Sequence, residues 1–161
     1  MTPAFVVRRF ESPDAASVCE IFFRSVREVG PAKYEPAQLE AWAPRLPDPE
    51  TWRRRCLELV TFVADDDAGE TVGWIAMTRE GCVDMLYCLH EATRRGIASE
   101  LYVAVERSAL DLGLPRLTAR ASAFAESFFK KRGWTVDERE TVDCNGTPIE
   151  RAVMSKILPR R

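Results

Sequence analysis

The order of elements in this sequence predicts an α/β domain with a mixed, mostly antiparallel sheet flanked by helices. Three observations carry the prediction. Residues 59–64, 71–78 and 82–89 are strand-like runs separated by short turns, 65–69 and 80–81, which is the pattern of an antiparallel meander. A helical stretch, 96–112, then joins the last of these runs to another strand, 116–121, so those two strands pair in parallel through a crossover. A final hairpin, 134–142 and 148–157, flanks Asn145-Gly146, a dipeptide suited to a tight turn because both residues tolerate positive φ.

Taken in order, residues 4–10 read as a first strand. Ser12, Pro13 and Asp14 then supply an N-cap candidate with proline in the first turn of a helix. Its apolar positions Val18, Ile21, Phe22, Val26 and Val29 share one face, and Gly30-Pro31 stops it. Residues 31–50 hold five prolines, which allow only short helices, at 36–43 and 49–57. Tyr34, Trp42 and Trp52 lie in or beside this flap, where aromatic rings either line a pocket or fill the core. Ile97, Leu101, Ala104, Val105 and Leu112 give helix 96–112 a buried stripe, and Gly113 and Pro115 close it. A short helix, 124–132, ends at Gly133. The element order is β, helices, βββ, α, β, α, ββ, and a doubly wound nucleotide fold would alternate more strictly.

Composition narrows the function classes. At 161 residues the chain, 1–161, is one domain long, and 46% hydrophobic residues with four Trp and eight Phe can build one sizeable core. The net charge of −2 lacks the basic excess expected of a nucleic-acid partner, and the run Arg53-Arg54-Arg55 reads as a solvated helix face. No apolar run approaches the roughly 20 residues that span a bilayer, and the N-terminus lacks a signal-peptide pattern, so a cytoplasmic location is expected with no membrane partner. Five cysteines without a Cys-x-x-Cys pair, and a single histidine, His90, argue against a disulfide framework and against any metal site.

The stretch most informative about chemistry is 84–99, where strand, turn and helix start are adjacent. Main-chain N–H groups at a helix N-terminus have no intrahelical acceptor and carry the positive end of the dipole. Small residues in the turn, Gly96 and Ala98, let a diphosphate approach them, although tight helix–strand packing calls for the same residues. The stretch resembles the signature of the GNAT superfamily of N-acetyltransferases, in which a strand ending in Val-x-Pro continues to Gln/Arg-x-x-Gly-x-Gly/Ala before a helix. The segment Phe-Phe-Lys-Lys-Arg-Gly-Trp, 128–134, is similar to the family's Phe-Tyr-x-x-x-Gly-Phe, and the likeness extends over nearly the whole chain. Thr93, His90, Cys88 and Phe129 depart from the usual Gln or Arg, Pro, Val and Tyr.

The resemblance implies a GNAT-like fold with splayed central strands and acetyl-CoA as cosubstrate. It places the pyrophosphate on the main chain of Arg94, Arg95, Gly96, Ile97, Ala98 and Ser99. The arginines either add charge-assisted contacts or are simply solvated. It also places pantetheine in the splay beside Leu86 and Cys88, where a main-chain N–H would polarise the thioester carbonyl. Cys88 reads as a small apolar residue, since activating a thiol needs a nearby base. Ser122, after the fifth strand, either bonds the cofactor or caps the next helix.

The acceptor implied is a primary amine of a small molecule or peptide that attacks directly. Presenting an alkyl amine of pKa about 10.4 in neutral form near pH 7 costs about 4.6 kcal/mol, whereas the departing thiol has a pKa of only about 8.5. A general base is therefore needed more than an acid, and Phe129 in place of tyrosine is tolerable. Asp84 is the base candidate, possible through water, with an ion pair to a neighbouring arginine as its structural alternative. The Tyr87 hydroxyl, and that of Tyr102, are candidate acids. Glu20, Arg24, Glu28, Tyr34 and Trp42 are open as acceptor contacts. Two other readings are a non-catalytic acetyl-CoA-binding regulatory module, motivated by Thr93 and Phe129, and a dinucleotide-binding domain, which the short Gly-x-Ala disfavours.

Overall fold

The computed structural model describes residues 5–92 and 95–160, and in it seven strands form one sheet in the order β1-β2-β3-β4-β5-β7-β6. The strands are β1 (Phe5–Arg9), β2 (Val60–Asp66), β3 (Thr71–Met77), β4 (Cys82–Cys88), β5 (Arg116–Ala121), β6 (Thr135–Cys144) and β7 (Thr147–Ile157). The helices are α1 (Ala15–Val29), α2 (Pro36–Trp42), α3 (Pro49–Glu58), α4 (Ile97–Asp111) and α5 (Ala123–Lys130). Every described strand pair is antiparallel except β4–β5, where α4 makes the crossover. The meander, the crossover and the Asn145-Gly146 hairpin are all present, and both turn residues have positive φ.

The start of α1 departs from the expected cap. Residues Ser12–Asp14 form a 3-10 turn, and Asp14 rather than Ser12 takes the free N–H of Glu11, at 2.8 Å. Arg8 holds the same carboxylate through two bonds of 2.8 and 2.9 Å and also reaches Asp65 at 2.8 Å. One guanidinium thus ties β1, the helix start and β2 together. Asp14 is a buried charge, and this paired arrangement is what makes its burial tolerable.

Helices cover both faces of the sheet. On one, Trp74 of β3 packs against Trp52 of α3, and Phe22 of α1 packs against Tyr87 of β4. On the other, α4 lies across β2 and β3, and its fully buried Ile97, Leu101 and Val105 form the stripe, whereas Leu112, expected in it, follows the end of the helix and is exposed. Gly73 sets how closely α4 approaches. A Cβ there would stand 3.2 Å from an Ile97 methyl and 3.0 Å from the Cys88 sulfur, so a side chain would press the helix off the sheet. Burying side chains as large as Trp74, Ile75 and Leu101 contributes about 1.5–3 kcal/mol each against the ordering entropy of the chain.

A second aromatic cluster closes the other end of the molecule. Phe129 stacks on Trp134 with centroids 4.3 Å apart, Phe128 packs edge-on against Phe129, and Tyr102 lies tilted against the stacked pair. The Tyr102 hydroxyl accepts from the Trp134 indole at 2.9 Å and donates to Glu106. Its bonds are thus used within α4 and the start of β6.

Candidate active site

The site arises where β4 and β5 part. These strands pair only at Cys82↔Thr118 and Val83↔Ala119. The ladder between β3 and β4 runs in register from Gly73↔Cys88 to Ala76↔Met85 and then skips to Met77↔Val83. Asp84 is the extra residue, a β-bulge, and a bulge bends its strand and increases its twist. The bend falls at the last β4–β5 pair, so it turns the rest of β4 away from β5.

The bulge also decides what the open edge presents. The Leu89 N–H donates to Val72 O at 2.9 Å. In an antiparallel ladder alternate residues bond the same neighbour, so Tyr87 and Met85 also face β3, while the N–H and C=O groups of Leu86 and Cys88 face the gap. The Ser25 hydroxyl of α1 confirms this direction by donating to Cys88 O at 2.5 Å. From the other side, the Thr118 N–H reaches Gly81 O at 2.9 Å, which by the same alternation turns the Arg120 main chain toward the gap. Unpaired main-chain groups with side-chain shelter on both sides are donors that a carbonyl ligand can use.

A cavity of about 220 Å³ opens over this gap, between α1, α2, β4 and the start of α5, with Leu86, Tyr87, Cys88, Ala98 and Ser122 in its wall. Its far walls are aromatic, from Trp42, Tyr87, Phe124 and Phe128. Tyr87 stands at the centre of a ring cluster, 5.0 Å from Phe22, 5.9 Å from Trp74 and 6.5 Å from Trp42. Burial pushes its phenol above the usual tyrosine range, against a hydrogen bond with Trp42 that pulls the other way. The hydroxyl is therefore protonated throughout the physiological range and available as a donor. A smaller cleft adjoins, reached by Asp84, Arg120 and the edge of Phe129.

Each residue expected from the sequence can now be placed. Asp84, Leu86, Tyr87 and Cys88 do come together with Ser122 around the gap, in two adjoining hollows. The bulge removes the simple alternation that would set Asp84, Leu86 and Cys88 on one face: Asp84 instead meets Arg55 of α3 at 2.5 Å. That pair is partly exposed. Ser122 caps α5 by accepting from the Ala125 N–H at 3.2 Å, and it also lines both hollows. Cys88 is a desolvated thiol, pushed up to about 12 by burial, and so is not a thiolate nucleophile near neutral pH. Tyr102, with its hydroxyl committed to Glu106 and Trp134, is absent from the lining of either hollow.

At the helix start, Thr93 and Arg94 lie outside the described residues. Gly96 precedes α4 in the left-handed region, φ 79°, a conformation that glycine adopts without steric cost, and among the described residues beyond its chain neighbours no atom lies within 4 Å of where a Cβ would be. The turn is open on that side. Ile97 anchors the helix in the core, Ala98 reaches the cavity wall, Arg95 is exposed, and the Ser99 hydroxyl accepts from Arg132, whose guanidinium lies over the Phe128 ring at 3.6 Å. The N–H groups of residues 97–99 are the free donors of the first turn by helix geometry.

Of the acceptor-side candidates, Trp42 lines both hollows, and Tyr34 packs edge-on against it while its hydroxyl accepts from the Ala123 N–H at 2.8 Å. Arg24 is spent on Glu28 and Glu91, Glu20 is exposed, and Trp52 fills the core between Phe22 and Trp74. Ser25, Phe124 and Phe128 were not singled out by sequence reasoning. A signal for Ser25 was present: it sits between Phe22 and Val29 at spacings of three and four, a hydroxyl within an apolar stripe. Among the described residues no group of three His, Cys, Asp or Glu is placed to hold a metal, and no helix is long and apolar enough to cross a membrane.

Comparison with known proteins agrees with this geometry. Residues 31–150 match the family described as an acetyltransferase (GNAT) domain. The chain is 32% identical over 140 residues to the uncharacterized N-acetyltransferase YafP of Escherichia coli, covering 87% of each protein. A crystal structure of a GCN5-related N-acetyltransferase from Rhodopseudomonas palustris superimposes with a TM-score of 0.90 at 32% identity, over 98% of this chain and 97% of that one. The fold is shared as well by the PaiA N-acetyltransferase of Thermoplasma acidophilum, with a TM-score of 0.77 at 18% identity over 98% of this chain and 100% of that one. An open-edged β4 beside a glycine-started helix thus occurs in a chain that matches along most of its length, and the protein belongs to the GNAT superfamily of N-acetyltransferases.

Proposed function

We propose that this acetyltransferase takes its acetyl group from acetyl-CoA and delivers it to a primary amine of a small molecule or peptide by direct attack. The observation that carries the reading is the edge of β4 that β5 leaves open, where the main chain of Leu86 and Cys88 faces a cavity that Ala98, in the first turn of α4, also lines. The PaiA relative was solved in complex with coenzyme A. Five free cysteines fit a reducing, cytoplasmic setting.

In the transfer the amine nitrogen bonds to the acetyl carbon, the carbon–sulfur bond breaks, and sulfur leaves with the electron pair. The amine loses one proton and the thiol gains one. Leu86 and Cys88 N–H groups hold the carbonyl oxygen as it gains charge, and the first-turn N–H groups of α4, with Arg94 and Arg95, hold the diphosphate. Asp84 receives the amine proton through water, and the Tyr87 hydroxyl donates toward the departing sulfur. Ser122 fixes the start of α5 at the cavity edge.

Titration calorimetry with acetyl-CoA, followed by thiol-release assays on a panel of amines, tests this reading. Binding of acetyl-CoA and thiol release that depends on an amine are expected. Gly96→Asp should abolish binding, because it strains a left-handed position and sets a carboxylate where the diphosphate must sit. No heat at millimolar acetyl-CoA, or undiminished binding by Gly96→Asp, would contradict it.

A further inference from the structure

We infer that the acceptor is an arylalkylamine: one primary amine on a short tether from a single aromatic ring, with neither a carboxylate nor a second ammonium. The inference rests on the acetyl-transfer reading and names the substrate class of the same site. No side chain that lines the main cavity carries a charge. Its polar side-chain groups are the Ser25, Ser122 and Tyr87 hydroxyls, the Trp42 indole and the Cys88 thiol, and the hydroxyls are engaged, Ser25 with Cys88 O, Ser122 with the Ala125 N–H and Tyr87 with Trp42. The acceptor occupies the part of the cavity lined by Val26 and Val29 of α1 with Trp42, Tyr87 and Phe124.

The charged side chains around it have partners of their own: in the adjoining cleft Asp84 is paired with Arg55 and Arg120 with Glu140. Arg27 is bonded to Ala43 O at 2.7 Å and paired with Glu40, and Arg24 is held by Glu28 and Glu91. Lys33 is exposed and sits above the Phe124 ring at 5.4 Å rather than lining the cavity. A polyamine would strand its second ammonium in this cavity without a counter-charge, and an amino acid would strand its carboxylate, and burying an unpaired charge costs far more than a hydrophobic contact returns. An aromatic ring meets edges and faces of rings on three sides.

Size agrees. A dry apolar cavity of about 150 Å³ admits a benzene-sized guest. The 220 Å³ here, shared with the acetyl end on the Ala98 and Ser122 side, leaves room for one ring on a short tether. The same walls help the chemistry. Desolvation between these walls favours the neutral, attacking form of the single amine.

The test uses the full chain with acetyl-CoA and measures kcat/KM for phenethylamine, spermidine, phenylalanine and putrescine by thiol release, with products identified by mass. Phenethylamine should exceed each of the others by about 100-fold or more, the scale on which unpaired polar groups discriminate. Val29→Asp should lower the phenethylamine value and raise that for putrescine. Trp42→Ala, if its melting shows it folded, should raise the phenethylamine KM about tenfold with acetyl-CoA affinity unchanged. Turnover of spermidine or phenylalanine as good as that of phenethylamine, or a Val29→Asp protein with unaltered preference, overturns the substrate class and leaves acetyl transfer standing. Thiol release with no amine at all, from a protein that binds acetyl-CoA, overturns acetyl transfer to amines and this inference with it.

Discussion

The two ends of β4 differ more than their sequences suggest. Val83 is paired to β3 on one side and β5 on the other, and Cys82 is paired to β5 and accepts from the Thr78 N–H just past the end of β3. Leu86 to Cys88, starting two residues beyond the Asp84 bulge, keep β3 but lose β5, and their outward main-chain groups face a cavity. The residue types are alike, small to medium and mostly apolar, at both ends. What separates a structural segment from a chemical one is the register of the neighbouring strand, because an unpaired ladder edge is a set of donors and acceptors that a ligand must complete.

That contrast is sharpened by a substitution at the closed end. Leu117 of β5 is fully buried next to the β4–β5 pairing. Leu117→Ala should cost about 2–5 kcal/mol of stability, through lost transfer energy and the cavity left behind, with little change in acetyl-CoA affinity while the protein stays folded. Urea unfolding and calorimetry on the same sample check both halves. A parallel loss of affinity would mean that the two ends of β4 are not independent.

At the open end the effect should be kinetic. Asp84→Asn is expected to lower the rate with a good amine by about 100-fold near neutral pH, equivalent to about 2.7 kcal/mol, with acetyl-CoA affinity retained. Stability should change little, since the Arg55–Asp84 pair is partly exposed and such pairs contribute about 0–1 kcal/mol. An intact rate would assign Asp84 to holding Arg55 and leave amine deprotonation to desolvation in the cavity.

The sequence was most legible where one residue decides a local conformation. Gly30-Pro31 at the end of α1, Gly96 before α4 and Asn145-Gly146 between β6 and β7 all stand where expected, because positive φ or a missing N–H punctuates the chain without help from elsewhere. The Asp84 bulge was not legible. It exists only in the pairing of β3 with β4, and nothing in Asp84 or its neighbours marks which residue the ladder will skip. The same limit applies to Arg55, which reads as one of three solvated arginines: Arg53 and Arg54 do return to Glu50 on their own helix, whereas Arg55 finds its partner 29 residues away.

The aromatic residues show the same division. Phe129 was legible as a departure from the family pattern, but its environment, a stack on Trp134 roofed by Tyr102, depends on α4 and α5 meeting. Trp42, Tyr34 and Trp52 look equivalent in the proline-rich flap, yet Trp42 faces the cavity, Trp52 the core, and Tyr34 ties the flap to α5 through its hydroxyl. Helical period predicts a buried face, and it does not tell which buried rings will border empty space.

The central claim is that the acetyl donor completes the open edge of β4, and site-resolved amide exchange tests it most directly. In the free protein the Leu86 and Cys88 amides should exchange faster than those of Met85 and Tyr87, which bond β3. Saturating acetyl-CoA should slow Leu86, Cys88 or both by about tenfold or more and leave Val83 unchanged, because Val83 is already paired. Bound acetyl-CoA with both gap-facing amides exchanging as before would contradict the account.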